Sequence, residues 1–198
     1  MAALALTLAC LVPATGARAG SAELDSETQF RGLAQFVVPS QPIRLGVAEV
    51  QVIVVYAPPR RSPNVDHLFP TPPRLAAARW GESRLLAAGQ SNKATVMIRD
   101  AAVVEVKLPK KGGLAGLFSR QPAARYDGRI SVELVIRDDY DKFEGRATAR
   151  VTRSQTVLED ITDKKRRAVW TKMTKAMIAD LERELRKQIQ AHLTRYVR

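Results

Sequence analysis

This sequence predicts an α+β fold: a mainly antiparallel sheet of about four strands with two helices, the second a long amphipathic C-terminal helix. Three observations carry that expectation. Arg129 to Arg137 and Arg146 to Val151 alternate apolar and polar residues strictly, as antiparallel strands with one buried face do. Ile43 to Tyr56 is dominated by β-branched residues, which favour a strand over a helix. From Asp163 onward, Trp170, Met173, Met177, Leu181 and Leu185 recur on one helical face.

The chain opens with an export signal. Met1 to Val12 is apolar and uncharged, Pro13 breaks it, and Ala17-Arg18-Ala19 supplies small residues where a signal peptidase cuts. Residues 1–19 therefore read as a signal peptide cleaved before Gly20. The apolar run falls short of the roughly 20 residues that span a bilayer as a helix; an uncleaved anchor is the alternative. Cys10 is the sole cysteine. It is either lipidated or discarded with the peptide. Discarding it leaves no disulfide, so the fold must rest on a hydrophobic core. Export places the working protein in the periplasm or on the periplasmic face of a membrane.

Residues 20–41 read as an N-terminal lead and 42–198 as a single α+β domain. Gly20 to Gln29 is polar and locally acidic, Phe30 to Val38 is apolar enough for a short strand, and Pro39 and Pro42 punctuate it. In Ile43 to Tyr56, Ile43, Leu45 and Val47 alternate, and Val50, Val52 and Val54 continue one register later, which suggests a bulge near Ala48. Ile53 and Val55 fill the other side, so cover on both faces is expected there. Ala57 to Pro73 holds six prolines and can be neither a regular helix nor a central strand. It is expected to be an irregular segment pinned by Leu68 and Phe69.

Arg74 to Ala88 reads as a helix, with Pro73 at its start and Gly89 past its end. Leu75, Ala78, Leu85 and either Trp80 or Leu86 are expected to face the sheet. Lys93 to Leu108 reads as one long bulged strand in preference to a hairpin. Asp138 to Gly145 is a polar turn. The final helix starts at Asp163, with Thr162 or Asp163 as N-cap, and runs to about Tyr196. Its apolar residues recur every four positions, so the stripe drifts, and Ile189 and Leu193 should meet a different neighbour from the first turns. Glu182 and Arg186 form an i,i+4 pair in the favourable order.

No nucleophile–base set is visible, and His67 and His192 have no metal-ligand spacing around them. The Asp138-to-Glu144 acids miss the calcium-loop pattern, and Gly112, Gly113 and Gly116 miss the phosphate-loop order. The expectation is a protein with no catalytic site, metal or cofactor. Net charge is +12; removing residues 1–19 removes Arg18 alone, leaving +11. Such a basic exported chain suits anionic partners. Aromatic platforms are sparse, which argues against nucleic acid.

Two cationic runs stand out. In Pro109 to Arg120, Leu114, Leu117 and Phe118 are flanked by Lys110, Lys111 and Arg120. Such a tip suits a membrane interface, with apolar residues inserted and cations on head-group phosphates; the alternative is that the apolar residues fold back onto the sheet. Lys164-Lys165-Arg166-Arg167 sits at a helix N-terminus, the unfavourable end for cations, where an anion would offset the cost. Glu159, Asp160 and Asp163 could also offset it.

Pro63-Asn64-Val65-Asp66-His67-Leu68-Phe69-Pro70, Tyr126-Asp127-Gly128 opening a strand, and Trp170 early in the last helix resemble a family of exported alpha-proteobacterial proteins of uncharacterised activity. The element order is distantly similar to small envelope lipoproteins that assist lipid transport or lipopolysaccharide assembly. The resemblance implies a non-catalytic envelope factor and brings no catalytic residues. The expected partner is an anionic lipid or an envelope protein. The other readings are an envelope hydrolase with an unrecognised site and a periplasmic protein-interaction module with no lipid role.

Overall fold

The computed structural model describes residues 40–109, 121–138, 142 and 144–198. The signal peptide, Cys10, the Phe30-to-Val38 segment and the tip residues Lys110, Lys111, Leu114, Leu117, Phe118 and Arg120 lie outside the described residues.

The elements run β1 (Ile43–Leu45), β2 (Glu49–Val54), α1 (Pro73–Arg84), β3 (Leu85–Ala87), β4 (Lys93–Asp100), β5 (Val103–Lys107), β6 (Pro122–Arg137), β7 (Glu144–Leu158) and α2 (Asp163–His192). The fold is α+β, with a mostly antiparallel main sheet and two helices. β6 is its centre. β7 pairs antiparallel along one edge of β6, from Pro122↔Leu158 to Arg137↔Glu144. β4 and β5 share the other edge, β4 from Lys93↔Arg137 and β5 as far as Lys107↔Ala124. The register shifts between Ile98 and Asp100. Lys93 to Lys107 is thus one long bulged strand. The Asp100 carboxylate accepts from the Ala102 amide at 3.1 Å, and Arg129 N donates to Ala102 O, so the bulge keeps its polar groups paired.

β2 adds to β4 in parallel across a crossover containing α1, and β1 pairs β3 in parallel beside it. Ile43 to Tyr56 is therefore two short strands in different sheets, broken at Gly46 to Ala48, where the register change was expected. The break is a backbone crossing. Gly89 N donates to Val47 O at 2.9 Å, and a Cβ on Gly89 would lie 2.4 Å from the Gly46 carbonyl carbon. Only glycine fits there.

Both helices cover one face of the sheet. Val96, Ile98, Ile130, Val132, Leu134, Ile136, Ala147 and Ala149 point into that core. The other face carries the exposed residues Arg125, Arg129, Arg137, Thr148 and Arg150. Expected cover on both sides of the β2 end is corrected: Ile53 and Val55 are exposed, because both described helices lie on the opposite face.

The α1 expectation is also corrected. The helix ends at Arg84, because Leu85 to Ala87 is taken up as β3 beside β1. Its buried face is Ala76, Ala77, Trp80, Gly81 and Arg84, with Leu75 and Ala78 half-buried and Leu86 exposed. Small residues win that face because the helix lies close on the sheet: a Cβ on Gly81 would sit 3.2 Å from Val52.

α2 starts as expected. Thr162 is its N-cap and accepts from the Lys165 amide. Trp170, Met173, Met177, Leu181 and Leu185 are buried. The helix stops at His192, and a 3-10 turn, Thr194–Tyr196, follows. The drifted end of the stripe meets a new neighbour: Val197 bridges Leu45, and Tyr196 O accepts from Gly46 N, close by buried Leu193. α2 crosses β6 tightly at Gly128, where a Cβ would lie 2.7 Å from Met173 Cε and 2.9 Å from Met177 Sδ. Gly128→Val is expected to overpack this crossing and cost about 1–3 kcal/mol. Urea unfolding measures the loss, and an unchanged midpoint would refute the tight crossing.

Candidate functional site

Chain topology gathers positive charge at one end of the sheet. β5 stops at Lys107 and β6 begins at Pro122, so the connection that holds Lys110, Lys111 and Arg120 leaves from and returns to this end. Its stem is pinned. Leu108 N donates to Ala123 O, and Glu159 N donates to Gln121 O. β7 ends opposite Pro122, and four residues later α2 begins. Lys164 to Arg167 therefore emerges beside the stem. The Lys164-to-Arg167 run and the stem residues Leu108 and Gln121 share one end of the sheet, because a hairpin and a following helix meet there.

Lys164, Lys165 and Arg167 are exposed. Arg166 is half-buried and pairs with Asp163 at 3.5 Å. Burial raises the Tyr126 pKa, the Glu105 carboxylate adds to the rise, and the positive charge of Arg166 opposes it. Arg166 and Glu105 thus both lie within electrostatic reach of this buried ring.

The proline-rich segment forms the third wall, with Asn64 bridged to Val104 and Pro63 O accepting from Glu105 N at 2.9 Å. Phe69, not Leu68, pins it. Phe69 stacks on Trp170 with ring centres 4.9 Å apart, and Tyr126 meets Trp170 edge-on at 5.6 Å. Leu68 stays exposed because it leads away from that stack. Asp66 is 1% exposed, and Tyr56 donates to it at 3.4 Å. Burial and the Asp66 charge push the Tyr56 hydroxyl up to about 12, so it stays a donor at every physiological pH. The segment presents Arg60 and Arg61 beside Lys107 in a shallow groove.

Sequence reasoning missed Arg60, Arg61, Arg74 and Lys107. For the first three a signal was present: the Arg60-Arg61 pair in a proline-rich segment whose single acid is Asp66, with Arg74 directly after it. Among the described residues, no group of three or more His, Cys, Asp or Glu side chains could hold a metal ion. No described helix is long and apolar enough to cross a membrane.

No protein-family model matches the chain, and no curated protein matches it. Among solved structures it is similar to several bacterial proteins, two of them lipoproteins. A minor lipoprotein from Acinetobacter baumannii is 13% identical with a TM-score of 0.37, over 77% of this chain and 96% of that one. The rare lipoprotein B from Shewanella oneidensis is 12% identical with a TM-score of 0.38, over 72% and 95%. A homolog of a neuraminyllactose-binding hemagglutinin from Helicobacter pylori is 9% identical with a TM-score of 0.41, over 79% and 94%.

Proposed function

We propose that this is an exported, non-catalytic envelope protein that docks on an anionic lipid surface by the hairpin end of its sheet. The observation that supports it is the convergence of the Lys164-to-Arg167 run with the stem of the connection carrying Lys110, Lys111, Leu114, Leu117, Phe118 and Arg120. Exposed lysines and arginines near an anionic membrane contribute about 1 kcal/mol each. Apolar residues among them add insertion. Neither effect needs a catalytic group.

Co-sedimentation with phosphatidylglycerol vesicles tests this reading, with phosphatidylcholine vesicles as the control. The charge variant Lys164→Gln/Lys165→Gln/Arg167→Gln removes three exposed cations, about 3 kcal/mol, and is expected to weaken binding about a hundredfold. Leu117→Asp/Phe118→Asp is expected to abolish sedimentation with an unchanged melting curve. High salt should release the parent protein. Equal binding to phosphatidylcholine, or binding indifferent to both variants, would overturn the reading. So would a stoichiometric, salt-resistant protein partner that occupies this end.

A further inference from the structure

We propose that the proline-rich segment builds a discrete pocket for a phosphate monoester, gripped by Arg60, His67 and Arg74. This pocket is built from other residues than the lipid-docking cations of α2. Charge pairing points to it first. Many arginines elsewhere find carboxylates: Arg84 with Glu182, Arg99 with Glu133, Arg125 with Asp127, Arg129 with Asp100, Arg153 with Asp180. Exposed Arg44, Arg150 and Arg167 find none among the described residues, but they line neither cleft of this corner. Arg60, Arg61, Arg74 and Lys107 have no ion-pair or hydrogen-bond partner among the described residues, although they crowd into one corner.

The cavities lie where those cations converge. Two adjoining clefts of about 220 Å³ each share Arg60 and His67. Pro58, Pro72 and Arg74 complete one, which has no acidic residue in its wall. Arg61 and Lys107 are in the wall of the other, together with Glu105. The size is below the roughly 300–1,000 Å³ of pockets for larger ligands, so the acid-free cleft suits a head-group-sized anion. Two guanidinium groups match a dianion in charge, and their planar forks match phosphate oxygens in geometry.

The backbone agrees. Arg60 has φ 54°, the left-handed region that non-glycine residues avoid. Glycine would relieve it, yet an arginine stands there and lines both clefts. Such outliers persist where the surroundings hold them, often at ligand sites. His67 Nδ1 is buried without a hydrogen-bond partner among the described residues. Val65 N bonds to Val103 O at 2.9 Å, which holds the segment on the sheet before any ligand arrives.

A phosphate monoester can come from a soluble ester or from a lipid head group. Isothermal titration of the full chain with glycerol 3-phosphate reads the first source. Vesicles of phosphatidylcholine doped with phosphatidic acid read the second. Saturable binding in either arm is expected, and Arg60→Gln/Arg74→Gln should weaken it about tenfold or more. The charge variant at Lys164, Lys165 and Arg167 should leave glycerol 3-phosphate binding unchanged. Arg60→Gly should weaken binding while melting at or above the parent temperature, since the strained φ is relieved. No saturable binding in either arm would overturn the proposal, as would undiminished binding by Arg60→Gln/Arg74→Gln. A lower melting temperature for Arg60→Gly would make Arg60 a structural residue and overturn its role in the pocket. Lipid docking is read on phosphatidylglycerol, which carries no monoester, so either idea can fail alone.

Discussion

Glu182→Ala is expected to cost about 3–5 kcal/mol of folding stability, the penalty for leaving one member of a buried ion pair without its partner. Glu182 is 3% exposed and joins three parts of the chain. Trp80 Nε1 and Arg84 Nε, both on α1, donate to it at 2.7 and 3.2 Å. Arg186, one turn along α2, donates at 2.8 Å, and the Ser40 hydroxyl donates as well. Arg84 also donates to the Ser40 carbonyl. Removing the carboxylate strands a guanidinium that is 5% exposed. Urea unfolding measures the cost. Arg84→Met/Glu182→Leu should recover most of it, because apolar residues of similar volume replace a buried pair at little net loss. A single-variant cost below about 1 kcal/mol would refute the network's role.

The same carboxylate sets an acid limit. Burial pushes its pKa up, but hydrogen bonds from Arg84, Ser40, Arg186 and Trp80 outweigh burial and hold it at about 2, below the ordinary 4.5. A depressed folded pKa stabilises fully above the unfolded value and is lost as pH falls through the folded one. The parent should therefore lose stability from about pH 4.5 down to about 2, and Glu182→Gln should show a shallower acid limb over the same window.

Trp170→Ala is the second large effect, about 3–5 kcal/mol for removing a buried indole. Trp170 is 7% exposed and lies between Phe69 and Tyr126, so it ties α2, the proline-rich segment and β6 together. Its loss should act locally as well as globally. With Phe69 unstacked, amide exchange at Val65 and Glu105 should quicken, and glycerol 3-phosphate binding should fall even at temperatures where the variant is folded. Trp170→Phe keeps a ring against Phe69 and should retain most of both. Intact monoester binding in folded Trp170→Ala would show that the pocket does not depend on this stack.

The elements with strict periodicity were legible. Ile130, Val132, Leu134, Ile136 and the Trp170-to-Leu185 face are buried as their spacing predicts, since one neighbour decides each. Glu133 and Val135 on the opposite face of β6 are buried as well, Glu133 under Arg99 and Arg146. Lys93 to Lys107 was legible as a bulged strand because its apolar pattern slips once. The second half of β7 was not: Arg153 and Gln155 sit on the helix side yet are exposed, so Thr152 to Thr156 has no apolar alternation. β3 was hidden because Leu85 to Ala87 continues a helical pattern locally and becomes a strand only when β1 is beside it. Glu182 was legible as half of a surface pair with Arg186. Its burial depends on Trp80 and Arg84, about a hundred residues away, and no local pattern reports that. The same holds for the corner of cations. Lys164 to Arg167 announces itself as a run, whereas Arg60, Arg74 and Lys107 are single residues until the fold brings them together.

The course of α2 also gives the molecule a polarity. Its first turn stands at the hairpin end, while Ser40 meets Glu182, about 28 Å further along the axis at 1.5 Å per residue. Val197 and Arg198 lie by β1, at the far end of the same helix. The described chain thus enters and finishes away from the face proposed to touch lipid. A lipid on Cys10 would make this a two-pole device. Residues 11–39 can span at most about 100 Å, enough to bring both poles to one leaflet. A lead cut below about a dozen residues could not turn back that far, and the same domain would then stand between two surfaces and set the distance between them.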